Sequence, residues 1–317
     1  MKTSKPVKIV GAILIGITVI VILFFLLFDW NMLRPYINRK VSESTGREFA
    51  IRGDLDVKFQ RNQDSESGWR RWVPHPRVSA EDVHMSNPTW STVGPEMASA
   101  QRVEAAFRIL PLLGKNAILT DLRLLAPNIA VERRKDGSNS WTFKDNGPSE
   151  WKVDIQRLAF NSGRVHYVDA PIALDLRAEA TSIDANAGSN ATPADGAQPY
   201  GLAFTLAGTY NKARISGGGR AGAVLSLTDE HTTFPIEAKA DIGDNKIGLQ
   251  GTIRDPRSIA GFELKMQLGG ASMADLYALS GVLLPETPPY STSGHLLGKK
   301  NGDFWSFTYK DFKGKVG

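Results

Sequence analysis

The feature that most constrains this 317-residue sequence is an alternation of apolar and polar residues that begins near Ile51 and recurs almost to the C-terminus. Successive side chains of a β-strand point to opposite faces of a sheet, so a run with this period has one apolar side and one polar side. Residues 262–268 (FELKMQL) and 236–242 (IEAKADI) show the pattern. The sequence therefore predicts a mainly β protein with about a dozen strands.

Turn-forming residues separate these runs and predict how the strands connect. Asp136–Gly137, Ser162–Gly163 and Gly243–Asn245 each lie between two strand-like segments. Short loops of this composition join antiparallel neighbours. We expect an antiparallel meander with two long interruptions, a polar excursion at residues 61–76 and a loop at residues 184–199 that is rich in small residues and proline.

Helical patterns are too few to cover the apolar sides of so many strands. The candidates are a turn at residues 110–114 and a short helix within residues 271–279. The sheet must therefore close into a barrel, pack against itself as a sandwich, or curl into a trough that holds something apolar. The strand pattern alone leaves these architectures open.

One long apolar run, residues 9–28, precedes the alternating region. It has twenty residues without a charge or a proline, and a helix of that length spans about 30 Å, the hydrocarbon thickness of a bilayer. A cleaved signal peptide is the alternative, but its apolar core normally has about 7–15 residues and is followed by small ones. Here large residues continue to Asp29 and Trp30. We therefore expect an uncleaved transmembrane helix.

The orientation of this helix does not follow from its flanking charges. Three lysines precede it and a similar number of cations follow, so the positive-inside rule is indecisive. A short tail, residues 1–8, most simply stays in the cytoplasm. The remaining chain then lies in the periplasm of a bacterial cell, anchored to the inner membrane by a single span.

Residues 29–46 predict a juxtamembrane helix that ends at Gly46. Leu33, Ile37 and Val41 recur every four residues on one side of it. That side either lies on the membrane surface or covers the first strands, and we favour the second. The β region then divides into residues 47–183, the flexible loop at 184–199, and a continuing sheet at 200–317.

Residue patterns for chemistry are weak, and we expect no enzyme activity, catalytic residue, metal or cofactor. The chain has no cysteine. Gly217–Gly222 matches G-x-G-x-x-G, but a strand-like AVLSL follows where a dinucleotide site needs a helix. Asp54 and Asp56 have no visible partner for acid–base work. A formal net charge of only +5, with much of the excess near the N-terminus, argues against nucleic acid as a partner.

Four segments, in order along the chain, resemble the AsmA family of bacterial envelope proteins. Residues 45–55 (TGREFAIRGDL) match T-G-R-x-[FL]-x-[IL]-x-G-[DN]-L, and residues 80–90 (AEDVHMSNPTW) are similar to a segment v-x-n-P-x-W. Residues 109–133 resemble a strand–turn–strand block that ends in P-x-i-x-l-x-R. Residues 163–170 (GRVHYVDA) resemble a G-x-i-x-y-x-D repeat. The resemblance covers most of residues 9–260.

This resemblance implies a chorein-like, groove-forming sheet whose apolar side shields acyl chains. The implied partners are the bilayer, phospholipids in the groove and other envelope proteins, and the implied function is phospholipid passage between envelope membranes or support of outer-membrane biogenesis. An alternative is an assembly factor for outer-membrane proteins that acts through its sheet edge. Family members usually continue further, so we interpret the end at residues 311–317 as a C-terminal truncation.

Apolar strand positions are the candidates for lining such a groove. Which of them share a face depends on strand register, which the sequence leaves open. The candidates are Phe107, Ile109, Leu122, Leu124, Ile129, Val131, Phe204, Leu206, Ile247, Leu249, Phe262 and Leu264.

Overall fold

The computed structural model of the chain describes residues 16, 28–61, 74–144, 152–183, 200–222, 224–226, 233–254, 261–301 and 304–317. The predicted span at residues 9–28 lies outside this part except for Gly16, which is helical, and Phe28. The loop at residues 184–199 and most of the excursion at 61–76 also lie outside it. Across the described residues, no helix has both the length and the apolar character that crossing a membrane requires.

Strands dominate the described chain and pair into a single sheet that does not close on itself. The prediction of a mainly β protein with few short helices is confirmed. The structure has eighteen strands instead of about a dozen because several rows of the sheet are interrupted. They are β1 (Phe49–Ile51), β2 (Leu55–Arg61), β3 (Pro74–Ser86), β4 (Glu96–Phe107), β5 (Asn116–Leu125), β6 (Asn128–Arg133), β7 (Lys152–Ile155), β8 (Arg157–Phe160), β9 (Ser162–Asp169), β10 (Leu174–Ser182), β11 (Tyr200–Tyr210), β12 (Ala213–Gly222), β13 (Val224–Ser226), β14 (Thr233–Ile242), β15 (Asn245–Arg254), β16 (Gly261–Gly270), β17 (Tyr290–Asn301) and β18 (Phe304–Val316).

The helices are short and lie at the margins of the sheet. A 3-10 turn, Trp30–Leu33, leads into α1 (Arg34–Thr45), which ends at Gly46 in the left-handed conformation. Two further α-helices of the described residues, α2 (Ile109–Leu112) and α3 (Tyr277–Ser280), are single turns between strands. Further 3-10 turns are Ala170–Ile172 and Met273–Leu276.

Most neighbouring strands are antiparallel, but one junction is parallel, which the meander prediction missed. The strands β5 and β6 form one row, and β7, β8 and β9 form the next. Asn116 pairs with Lys152 and Arg133 with Asp169, so the separation stays at 36 residues along both rows. Parallel neighbours need a long connection, and residues 134–151 separate β6 from β7 in the sequence.

The two outer rows of the sheet differ in how they are protected. β1 and β2 both pair with β3 and form one edge, while β18 pairs with β17 at the other end of the row order. Leu33 and Ile37 pack against a cluster of Ile51, Leu55 and Ala80. The apolar side of α1 therefore covers the first strands, as the favoured interpretation expected.

Few large or small hydrophobic side chains are buried for a chain of this length. The twelve in the described residues are Ile51, Leu55, Ala80, Met97, Ala105, Ala106, Leu119, Tyr200, Leu202, Ile215, Ala221 and Tyr290. A sandwich would bury the inner side of every strand between two layers about 10 Å apart. Since one sheet holds all the described strands and does not close, neither the sandwich nor the barrel is the architecture.

Candidate functional site: an open apolar face

Strand register places the lining candidates of the middle and C-terminal strands on one face of the sheet. Residues directly opposite each other in paired strands have side chains on the same side. The pairs can therefore be followed from row to row, and within a strand every second residue joins the set. The connected positions are Ile129, Val165, Ala178, Leu206, Gly217, Ala240, Ile247 and Leu268, joined by Val131, Phe204, Leu249, Leu264 and Phe262. We call this side the apolar face.

A crease brings the N-terminal strands onto the same face. Ala80 and Val83 are three positions apart, so strict alternation would place them on opposite faces. Both nevertheless pack in the cluster around Ile51 and Leu55. Asp82 between them has a φ of 51°, in the left-handed region that non-glycine residues rarely adopt. This residue shifts the alternation by one position.

The same crease continues two strands further. Ala126, with a φ of 49°, lies between the pairs Arg102–Leu125 and Ser99–Asn128, opposite the same part of β4 as Asp82. The shift places Leu122 and Leu124 on the face that carries Ile129 and Val131. Phe107 follows Ala105, the partner of Leu122, by two positions, although a register irregularity begins there.

All twelve lining candidates are half-buried, and none is sealed in a core. Ile109 lies in α2 and not on a strand, which corrects its assignment. The apolar positions are screened by their neighbours within the sheet, and no second layer of the described chain buries them. The apolar face is therefore open along most of the sheet.

Two glycines on this face lie where a neighbouring strand approaches closely. A Cβ at Gly219 would meet the carbonyl oxygen of Glu237, and a Cβ at Gly251 would meet that of Glu263. In a flat sheet neighbouring strands lie about 4.8 Å apart and side chains stand perpendicular to it, so such a Cβ would reach no neighbouring backbone. The neighbouring strand therefore leans toward the apolar face at both positions.

The opposite face carries ion pairs between adjacent strands. The guanidinium of Arg220 lies 2.7 Å from the carboxylate of Glu237, and Arg102 lies 2.5 Å from Glu81. The pair of Arg102 and Glu81 is exposed, and such pairs contribute little to stability, about 0–1 kcal/mol each. They keep this face polar, in contrast to the apolar face.

A buried carboxylate closes the parallel junction at one end. Asp169 is only 1% exposed. The Nη2 and Nε atoms of Arg133 donate to it at 2.6 and 3.0 Å, and the Tyr167 hydroxyl donates at 2.6 Å. Burial works to raise the pKa of Asp169, but the hydrogen bonds from Arg133 and Tyr167 outweigh it and hold that pKa below the ordinary value. Burial and the bond to Asp169 raise the pKa of Tyr167.

Several residues of the family-like sequence motifs have structural roles in the sheet. Arg133 and Asp169 end two separate motifs, and they are directly paired across β6 and β9. Asn87 of the N-P-x-W segment donates from Nδ2 to three carbonyl oxygens, including that of Ala130 at 3.1 Å. Trp90 of that segment lies 5.1 Å beneath the Arg134 guanidinium. The sequence signal for the pairing of Arg133 with Asp169 was that each residue ends its motif.

The weak chemical motifs take ordinary structural positions. Gly217–Gly222 lies in β12, paired with β11 and β14. Asp54 lies in the kink between β1 and β2, and Asp56 forms an ion pair with Lys58 at 3.2 Å. No group of three metal-ligating side chains occurs among the residues that the structure describes.

Comparison with known proteins adds a family and a relative. The family model described as the AsmA family matches residues 3–304. The chain is 36% identical over 334 residues to the AsmA family protein YhjG of Escherichia coli (strain K12), a match that covers 99% of this chain and 48% of the relative. The chain thus spans about half the length of that relative. No solved structure matches it.

Proposed function

This chain belongs to the AsmA family, whose members are envelope-associated, and from that premise we propose that it binds phospholipids along its apolar face. It carries them between the membranes of the bacterial envelope and so supports outer-membrane biogenesis. It acts without covalent chemistry, as a binding protein and not as an enzyme.

The observation that carries this proposal is the continuous, half-exposed apolar face on one open sheet. Each methylene group that leaves water for an apolar surface contributes about 0.8 kcal/mol. Acyl chains on this face gain that stabilisation from many weak contacts, none of them specific to one position. A lipid held in this way can slide along the strands.

In this proposal the apolar run at residues 9–28 is the membrane anchor. It holds the chain in the inner membrane as a single span, with residues 1–8 in the cytoplasm and the sheet in the periplasm. The support for this part is the length and composition of the run, together with membership of an envelope-associated family.

Photo-crosslinking in cells tests lipid binding on the full chain. A photoreactive phenylalanine analogue replaces Leu249 on the apolar face or, as the matched control, its neighbour Gln250 on the polar face. After irradiation, the purified chain is analysed for attached phospholipid by mass spectrometry. We expect an adduct from position 249 and none from position 250. Equal labelling at both positions, or none at 249, would contradict the proposal.

A second candidate is an assembly factor that pairs its sheet edge with strands of partner proteins. The favouring observation is the difference between the two edges. Side chains of α1 accept from amides of β1, and Asn31 of the preceding 3-10 turn accepts from the Leu55 amide of β2, whereas β18 pairs on one side only within the described residues. A thirteen-residue edge strand suits β-augmentation. The same photoreactive residue at the exposed Ser306 would then give protein adducts, with no lipid adduct at position 249.

A further inference from the structure

One corner of the sheet groups exposed apolar and basic side chains. It comprises residues 109–115, which contain α2 and its following turn, together with Lys152 and Val153 at the start of β7. The Lys152 amide donates to the carbonyl oxygen of Lys115 at 3.0 Å, so the turn and the strand form one surface. We call this surface the α2 corner.

The α2 corner exposes more apolar surface than its local structure requires. The side chain of Leu113 is 84% exposed and that of Val153 is 63% exposed, and Leu110 is also exposed. Single exposed leucines are ordinary on soluble proteins. Three apolar side chains beside the exposed cations Lys115 and Lys152 form a different pattern, typical of segments that lie in a membrane interface.

The corner lies at the end of the sheet where the proposed anchor joins it. That anchor ends at Phe28, and the ring of Trp30 lies 6.4 Å from the ring of Phe59 on β2. Phe59 on β2 is opposite Pro76 on β3, which pairs with β4. Phe107 on β4 is in turn opposite Leu119 on β5. Three strand spacings of about 4.8 Å separate β2 from β5, roughly 15 Å in all. Exposed Met32 lies in the 3-10 turn at this same end.

A comparably exposed leucine lies at the opposite end of the strands. Leu283 is 84% exposed and belongs to the connection between Gly270 of β16 and Tyr290 of β17. Those two residues pair with each other, and Gly270 also pairs with Asn245 at the hairpin of β14 and β15. Leu283 therefore provides an internal reference with the same exposure and the same side-chain chemistry.

We infer that the α2 corner docks on the bilayer surface, with Leu110, Leu113 and Val153 inserted among the lipids and Lys115 and Lys152 against anionic phospholipid headgroups. This inference rests on the proposed inner-membrane anchor. It adds to the proposed function a place where lipid enters the apolar face. Phe107 is the last residue of β4, lies on that face and precedes the corner by two residues. A lipid leaving the bilayer at this corner reaches that face without crossing bulk water.

Depth-dependent fluorescence tests this docking on the full chain. Because the sequence has no cysteine, Leu113→Cys and Leu283→Cys each introduce a single labelling site. Both variants carry a polarity-sensitive fluorophore and are reconstituted in vesicles of phosphatidylcholine and phosphatidylglycerol, with brominated phospholipid as the quencher. We expect several-fold stronger quenching and a blue-shifted emission at position 113. Quenching at position 113 that does not exceed that at 283 would overturn the inference.

Two further measurements separate the corner from the anchor. Alkaline extraction of the same vesicles tests the anchor alone: a chain that resists extraction but leaves the label at position 113 unquenched retains its anchor and disproves the docking. A chain that is extracted, yet is quenched at position 113 at neutral pH, supports the docking without the anchor. Replacing Lys115 and Lys152 together by Glu should reduce the quenching at 113 in anionic vesicles only. An equal reduction in vesicles of phosphatidylcholine alone would count against the headgroup contact.

Discussion

At the scale of single residues, the fold depends on a few positions that require a particular charge or the absence of a side chain. Asp169 pairs with Arg133 across the parallel junction, the place where the regular antiparallel order is broken. Gly251 allows β16 to lean over the apolar face. Neither residue contacts a ligand in our proposal, but both set the geometry on which the apolar face depends.

Removing the buried charge at the parallel junction should destabilise the chain. Asp169→Asn weakens the contact with Arg133 and leaves that cation without its carboxylate, so we expect the free energy of unfolding to fall by about 2 kcal/mol. Urea unfolding in detergent micelles, followed by tryptophan fluorescence, measures this change. Asp241→Asn, at an exposed position on β14, is the control and should change stability by less than about 0.5 kcal/mol.

The same residue predicts a direction for the pH dependence. The folded-state pKa of Asp169 is lowered, so its contribution is fully present above the unfolded-state pKa, near pH 4, and is lost as the pH falls through the folded-state pKa. The stability difference between the natural chain and Asp169→Asn should therefore shrink on acidification below about pH 4. A difference that grew in acid would show that Asp169 does not stabilise the fold through its charge.

Two glycines of β15 form a matched pair for testing the close approach of β16. A methyl group at Gly251 would meet the carbonyl oxygen of Glu263, whereas one at Gly248 would lie 3.7 Å from the Gln267 side chain, an ordinary contact. We expect Gly251→Ala to lower the free energy of unfolding by about 1–3 kcal/mol, and Gly248→Ala to change it little. Equal effects in the same urea experiment would rule out close strand approach as the cause.

At the scale of secondary-structure elements, α1 protects the first edge of the sheet in two ways. Its apolar side packs on the first strands, and its polar side chains bind their free backbone groups. The Asn38 side chain accepts from the Ile51 amide at 3.0 Å, and the Ser42 hydroxyl accepts from the Phe49 amide at 2.9 Å. An edge strand with unpaired amides is a template for aggregation. The side chains of α1 accept hydrogen bonds from these amides and so block pairing with another chain.

Loss of one edge contact should open this row locally. Asn38→Ala leaves the Ile51 amide without its side-chain acceptor, which costs about 1 kcal/mol. Hydrogen exchange measured by mass spectrometry should then be faster in the peptide that contains residues 49–51. Arg39→Ala, on an exposed side chain that contacts Glu43 and the Tyr36 ring within α1, is the control and should leave that exchange rate unchanged.

At the scale of the whole molecule, the open apolar face is the surface that the proposed function requires. A charge placed on it should repel acyl chains while leaving the sheet intact, because the site is half-exposed and the new carboxylate can remain hydrated. For Leu249→Asp we expect the amount of phospholipid that co-purifies with the full chain to fall several-fold, as measured by mass spectrometry. Gln250→Asp on the polar face is the control, and an equal loss in both variants would show that the face itself does not hold the lipid.

Much of the fold was predictable from local patterns. Phe262, Leu264 and Leu268 alternate with polar residues, and this alone fixed a two-sided strand and the side of it that is apolar. Gly46 fixed the end of α1. The lining residues were proposed from the same alternation, but Ile109 was assigned incorrectly because the pattern of β4 continues by chance into the short helix that follows.

The sequence by itself determined that this chain forms amphipathic strands with little helical cover, because the period of apolar residues is a local property of the backbone. Only the tertiary structure decided that Asp82 and Ala126 shift that period and that β5 and β6 run parallel to β7–β9. It also decided that one open sheet, and not a sandwich, holds all the described strands. These features depend on register and on contacts between distant segments, which residue order along a single strand does not specify.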